Sequence, residues 1–167
     1  MIHRIGVISD THMPPHKKIP AAVWTLFAGV EQIIHAGDLS CLSVIDELET
    51  LAPVVAVQGN VERDDVVMEL PIKREILVSF CRIGIVHILG ERKYYARNAQ
   101  REFPQARVVV FGHSHIPYNE EHEGLLLFNP GSANERRSQP KRSIGMLSID
   151  DEAMSVRGEI LWLEEEP

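Results

Sequence analysis

Cysteine is scarce in this chain: Cys41 and Cys81 are the only two among 167 residues, and they lack the C-x-x-C spacing of a zinc or redox motif. That argues against a disulfide framework and leads to the expectation of a reducing compartment. Positive charge is also in deficit, with 17 Lys and Arg against 24 Asp and Glu and a formal net charge of −7. A long nucleic-acid partner calls for a basic face, so none is expected. A small anionic substrate held through metal ions remains compatible with this balance. No apolar run is long enough to span a membrane, and Met1-Ile2-His3-Arg4 leads directly into a strand-like segment with no signal peptide before it. A cytoplasmic protein without membrane association is therefore expected. Repeats, linkers and low-complexity segments are absent too. Hydrophobic residues make up 44% of the chain, enough for a sizeable core, and the length suits one domain over residues 1–167.

What is present is a series of short apolar runs, each ending in polar residues. Ile2 to Ser9 reads as a first strand, followed by Asp10-Thr11-His12. A helix is expected from Ile19 to Ala28, with Pro20 tolerated in its first turn. Gln32 to His35 reads as a second strand, ending at Ala36-Gly37-Asp38. Leu42, Ile45, Leu48 and Leu51 recur at helical spacing and predict a helix from about Ser40 to Leu51. Pro53 to Val57 is a third strand, ending at Gln58-Gly59-Asn60. Ile72 to Phe80 and Ile83 to His87 read as a hairpin, Glu91 to Phe103 as a polar-faced helix, and Arg107 to Phe111 as a buried strand. Leu125 to Phe128, Ile144 to Ile149 and Met154 to Trp162 complete the strands. The early β-α-β-α-β part suggests parallel pairing and the later part hairpins. Together they predict an α/β architecture of two mixed sheets with helices outside.

Gly112-His113-Ser114-His115 is the densest chemical feature. In extended backbone, residues two apart share a side, so His113 and His115 can aim two imidazoles at one point past a strand end. Imidazole is the commonest nitrogen ligand of divalent transition metals at neutral pH. Asp10 and His12 follow the first strand, Asp38 the second and Asn60 the third, while His87 ends a later one. Each has an ordinary alternative. Asp38 before Leu39-Ser40 suits a helix N-cap, Gly59-Asn60 is a common turn pair, and His87 fits a hydrogen-bonded core histidine. Their shared placement at strand carboxyl ends, where α/β proteins assemble sites, favours ligands. Seven donors exceed the need of one ion and suit a pair sharing a carboxylate. His35 reads as a core residue orienting ligands, and His3 and His122 as surface residues. His16 is a weak candidate for substrate contact or proton transfer. Arg136, Arg137, Lys141 and Arg142 form either a solvated loop or a phosphate contact.

Asp-x-His, Gly-Asp, Gly-Asn, a strand-ending His and Gly-His-Ser-His, in this order, resemble the calcineurin-like metallophosphoesterases. The short length and the loop Asn129-Pro130-Gly131-Ser132 resemble their small bacterial and archaeal phosphodiesterase branch. The resemblance runs from Ile5 to about Leu147. It implies a four-layer α/β/β/α sandwich with a dinuclear site. One ion would be held by Asp10, His12, Asp38 and His115, and the other by Asp38, Asn60, His87 and His113, with Asp38 bridging. Asp38, Asn60 and His87 would also take part in catalysis. Manganese is the expected metal, with zinc, iron, nickel and magnesium as alternatives. The implied reaction is hydrolysis of small phosphodiesters by a metal-bridging hydroxide. A phosphomonoesterase is the enzymatic alternative. A non-catalytic scaffold is the other, since a retromer subunit of this fold serves as an interaction surface. A homo-oligomer stays open. Three departures stand out. Cys41 replaces the second Asp of Gly-Asp-x-x-Asp. Val61 stands where larger members have a proton-donating His. Ile88-Leu89 separate His87 from Gly90, where that His is usually followed directly by Gly.

Overall fold

The computed structural model describes residues 1–13 and 17–164. Among the described residues, ten strands form two five-stranded sheets. The first sheet contains β1 (Ile2–Ile8), β2 (Gln32–His35), β3 (Val54–Ala56), β9 (Ser143–Asp150) and β10 (Ser155–Trp162), in the order β10-β9-β1-β2-β3. The second contains β4 (Lys73–Val78), β5 (Cys81–Val86), β6 (Val108–Val110), β7 (Tyr118–His122) and β8 (Leu125–Asn129), in the order β4-β5-β6-β8-β7. The pairs β1–β2, β2–β3, β5–β6 and β6–β8 are parallel; antiparallel β9 and β10 complete one side of the first sheet, and antiparallel β4 and β7 form both edges of the second. Both sheets are therefore mixed, as the β-α-β-α-β start and the later hairpins predict.

Strand alternation explains the layering. On β1, Ile5 and Val7 face the second sheet, while Ile8 faces the helices. On β9, Leu147 and Ile149 point inward, and Ile144 and Met146 point outward. The second sheet does the same: Val108 and Val110 face the first sheet, while Val109 faces the opposite way. Three apolar layers result. One lies between the sheets. One lies under α1 (Ala22–Leu26), α2 (Ser43–Leu48) and α3 (Asp64–Glu69). The third lies under α4 (Tyr95–Glu102). Each fully buried Val, Leu or Ile contributes roughly 1.5–3 kcal/mol relative to exposure, so two-faced burial favours this stack. The arrangement is the expected α/β/β/α sandwich.

Several element bounds differ from the sequence-based expectation. The helices from Ile19 and from Ser40 contract to α1 and α2, with turns of 3₁₀ type at their ends, such as Val23 N–H to Pro20 O and Val44 N–H to Cys41 O. The segment from Glu91 begins with a 3₁₀ turn, Arg92–Tyr94, before α4. Periodicity did not reveal α3, which is six residues long and buries only Val66. Nor did it reveal β7, an edge strand whose Asn119, Glu120 and Glu121 face solvent.

Register positions the chemistry. Ile8 pairs with His35 and His35 with Ala56, so β1, β2 and β3 end level. Ile85 pairs with Val110 and Val110 with Phe128, so β5, β6 and β8 end level too. The loops that follow these six strands carry the polar residues.

Candidate metal centre

The seven predicted donors meet in one cluster. His12 Nε2 lies 3.3 Å from His115 Nε2, although 103 residues separate them in the chain. His115 Nε2 lies 3.2 Å from Asp10 Oδ1, and His12 Nε2 3.6 Å from it. Asp38 Oδ2 stands 3.2 Å from His87 Nε2 and 3.5 Å from His12 Nε2, so it faces both halves of the cluster. Asn60 Oδ1 is 3.1 Å from His87 Nε2 and 3.0 Å from His113 Nδ1. Two groups of donor atoms fall within 4.8 Å of one another: Asp10, His12 and His115, and Asp10, Asp38 and His87. Asp10, Asp38, His87 and His115 are buried, whereas Asn60 and His113 lie on the exposed side.

The surrounding hydrogen bonds orient each donor. Backbone carbonyls can only accept, so Nδ1 of His87 donates to Ala36 O at 2.7 Å and Nδ1 of His115 donates to Glu135 O at 2.7 Å. In the neutral rings this leaves both Nε2 lone pairs pointing into the cluster, as in metal-ligating histidines held by carbonyl partners. Each aspartate is anchored by one oxygen. Asp10 Oδ2 accepts from Ser9 Oγ at 2.7 Å and from the His113 backbone N–H at 3.1 Å. Asp38 Oδ1 accepts from the Val61 N–H at 2.8 Å. The other oxygen of each faces the imidazoles. Asp10 Oδ1 is buried and has no hydrogen-bond partner among the described residues. A buried carboxylate oxygen without a partner is costly, and lone pairs converging on it repel unless a proton or cation lies between them. The donor set thus fits divalent cations.

The same contacts shift the titration of the cluster. Burial opposes ionisation of Asp10, but the His115 and His12 rings and the Ser9 hydroxyl outweigh it and hold the carboxyl well below its usual range. Asp38 is likewise lowered, burial being outweighed by the His87 ring. His12 is raised above its usual value by Asp10. His87 is raised as well, since Asp38 and Asp10 outweigh its burial. Burial and the neighbouring His87 lower His113.

The loops hold unusual backbone. Asp10, His12, Asp38, His113 and His115 all have positive φ, between 42° and 70°. Non-glycine residues take this region at a cost of order 1–3 kcal/mol, and such strain concentrates at functional sites. Two glycines permit the close approach. A Cβ on Gly59 would overlap Asp38 Oδ1, and one on Gly112 would overlap Ser9 Oγ.

Sequence reasoning missed the residues that tie these loops together. The Glu62 carboxylate accepts backbone N–H bonds from Leu39 at 3.1 Å, Ser40 at 2.7 Å and Gly59 at 2.9 Å. It fastens the Asp38 loop to the Asn60 loop. Its position two residues after Asn60 was the available signal. The loop Asn129-Pro130-Gly131-Ser132 clamps the other half. Asn129 Nδ2 donates to Gly112 O, Ser132 Oγ donates to Asp10 O, and Asn134 Nδ2 donates to Thr11 O. His35 lies in the core as expected. Its Nδ1 accepts the Gly37 N–H, its Nε2 meets Thr11 Oγ1, and burial lowers its pKa to about 3. Cys41 stays outside the cluster, with Sγ directed at Met13 O. His16 lies outside the described residues. In the cationic loop, Arg136 is bound to Gln139 O and Pro140 O, while the Arg137 charge reaches His113.

Comparison with known proteins is consistent with this arrangement. A probable metallophosphoesterase of Methanothermobacter thermautotrophicus is 41% identical over 158 residues, covering 90% of this chain and 88% of that protein. The phosphodiesterase YfcE of Escherichia coli is 29% identical, covering 84% of this chain and 86% of its own length. Among solved structures, Vps29 of Entamoeba histolytica complexed with zinc superposes with a TM-score of 0.75 at 25% identity, covering 95% of this chain and 98% of that one. The calcineurin-like phosphoesterase superfamily domain matches residues 3–152. With its donors arrayed at the strand ends of two mixed sheets, the chain belongs to the calcineurin-like phosphoesterase superfamily.

Proposed function

We propose that this protein is a metal-dependent phosphodiesterase acting on small phosphate esters, with two divalent ions at the cluster. The observation that carries the reading is the buried Asp10 Oδ1, which accepts no hydrogen bond among the described residues yet faces Nε2 of His115, His12 and His87 at 3.2, 3.6 and 3.8 Å. Asp10, His12 and His115 would hold one ion, and Asn60, His87 and His113 the other, with Asp38 shared between them. Manganese is the ion we favour over zinc, iron, nickel and magnesium. When bound, such ions supply an acidified water nucleophile and neutralise charge on the phosphoryl oxygens.

The chain's own groups hold this machinery in place. Ala36 O and Glu135 O fix the tautomers of His87 and His115. Ser9, the His113 N–H and the Val61 N–H fix the carboxylate planes of Asp10 and Asp38. Asn60 and His113, on the solvent side, are where an incoming ester would first meet the site. Arg137, whose charge already reaches His113, is the cation we assign to the substrate's phosphate. We place the reaction in the cytoplasm, on the strength of two free thiols and the absence, among the described residues, of a helix fit to cross a membrane.

The likeness to zinc-complexed Vps29 supports a second reading, in which metal binding stabilises a scaffold without turnover. Reconstitution with manganese, followed by elemental analysis and assay on matched phosphomonoesters and phosphodiesters, separates the two. The phosphodiesterase reading expects about two ions per chain and turnover of diesters. Two ions without turnover of any ester would establish the scaffold, and a monoester preference would establish a phosphatase. One ion or none at saturation would remove the dinuclear centre.

A further inference from the structure

Next to His87 a cavity of about 200 Å³ opens beside the cluster, lined by Gln58, Gly59, Ile72, Val86, His87 and Ile88. Gly59 and His87 belong to the segments that present donors, so the cavity is continuous with the site. Its other walls are mainly aliphatic. Ile72 is 70% exposed and Ile88 47% exposed, and both sit at its rim. Ile88 is also one of the two residues that separate His87 from Gly90. The wall is held in place: the Gln58 N–H donates to Pro71 O at 2.9 Å, and Gln58 Nε2 donates to Leu70 O at 2.6 Å. These bonds fasten the segment before Ile72 to the loop carrying Asn60. A second cavity of about 320 Å³ shares Ile72, Val86 and Ile88 and leads away from the site.

An apolar cavity of about 150 Å³ is enough to hold a benzene ring. An apolar recess of that size, adjoining ligands for a phosphate-binding centre, suits the organic substituent of the ester rather than its phosphoryl group. We propose that this cavity is a specificity subsite for an aromatic or comparably apolar ring carried by the phosphodiester, with Ile72 and Ile88 as its determinants. The proposal rests on the phosphodiesterase reading above. Polar groups would find few partners on this wall, so esters with a small or hydrophilic substituent gain nothing from it.

The test uses phenyl 4-nitrophenyl phosphate and methyl 4-nitrophenyl phosphate, which share a leaving group and differ only in the retained substituent. The metal-loaded protein should prefer the phenyl ester in kcat/KM by roughly tenfold, the lower end of what small differences in apolar contact supply. Ile72→Ser and Ile88→Ser should each erase most of that preference, and Ile88→Leu should keep it. Equal kcat/KM for the two esters, or an unchanged ratio in both serine variants, would overturn the subsite. A binding measurement keeps this separate from catalysis. With magnesium present, phenylphosphonate should shift the Ile72 and Ile88 methyl resonances and bind more tightly than methylphosphonate. If neither ester is hydrolysed yet phenylphosphonate shifts those methyls, the subsite stands and the hydrolase reading falls. Failure of phenylphosphonate to shift them removes the subsite, whatever the activity.

Discussion

Glu62 shows how one side chain outside the donor set governs the site's geometry. Its two oxygens collect the N–H groups of Leu39, Ser40 and Gly59, so the loops bearing Asp38 and Asn60 are tied to one another. Removing a group that orients ligands typically costs 10–100-fold in metal affinity or activity. Glu62→Ala should therefore weaken metal binding by about that factor, as read by competition with a chelator dye. Unchanged affinity in a folded variant would show that the loops hold without it. Val61 makes a different case. Its backbone N–H serves Asp38, but its exposed side chain has no acidic proton to donate. A positioned acid contributes about 10²–10⁴-fold for a poor leaving group. Turnover of diesters should accordingly fall steeply as leaving-group pKa rises, and Val61→His should help alkyl esters more than nitrophenyl esters. A shallow dependence, measured where chemistry limits the rate, would point to another donor. The imidazoles set a pH dependence. Asp10 raises His12, and Asp38 and Asp10 raise His87 against its burial, so both rings keep protons above their ordinary value of 6.5. Ligating nitrogens must be neutral, so metal binding displaces those protons. Affinity should rise between pH 6 and 8, with proton release visible by calorimetry in buffers of different ionisation enthalpy. Affinity that stayed flat over this range would mean that the rings are already neutral.

At the scale of elements, the level ends of six strands explain why so many short loops converge, and the linkages between elements explain why they stay. One such linkage lies near the start of β1. His3 Nδ1 meets Glu31, just before β2, at 2.8 Å, and its Nε2 meets Asp151, in the turn joining β9 and β10, at 3.1 Å. The expectation of a plain surface histidine misses this clasp, because both partners are remote in the chain. Glu31 and Asp151 raise the His3 pKa above 6.5. The stabilisation is thus fully present below about pH 6.5 and fades as the pH rises through the higher folded-state value. His3→Asn should lower the melting temperature at pH 6 and leave it nearly unchanged at pH 9. An equal loss at both would assign His3 a packing role alone. Element bounds were legible where burial is two-faced, as in β2, which matches its predicted span of Gln32–His35. They were not legible where an element buries one residue, as in α3, or lies at an edge, as in β7, because the apolar pattern there is too short to carry a period.

For the molecule as a whole, the net charge of −7 governs what it can approach. Counterion release from phosphate contacts drives most nucleic-acid affinity and needs a basic surface. No submicromolar binding to duplex DNA is expected at physiological salt, as measured by fluorescence anisotropy. Binding tighter than that would redirect the search for substrate toward polynucleotides. The same balance leaves the local cations to act on small anions, and Arg137, whose charge contributes to lowering His113, is the one proposed above for that part.

The sequence by itself determined the donor chemistry and its order. Asp10, His12, Asp38, Asn60, His87, His113 and His115 each follow an apolar run, and the steric preferences that end a strand act within a few residues. It also determined the layering, since alternation along β1, β6 and β9 dictates which side chains face which layer. Tertiary structure decided the rest. His12 and His115 meet only because two sheets pack face to face, which no local pattern encodes. The tautomers of His87 and His115 depend on carbonyls of Ala36 and Glu135 in other loops. The Glu62 clasp and the recess at Ile72 and Ile88 likewise arise between segments that are separate in the chain. Their positions follow from long-range register, and register is fixed only once packing buries a face of each sheet.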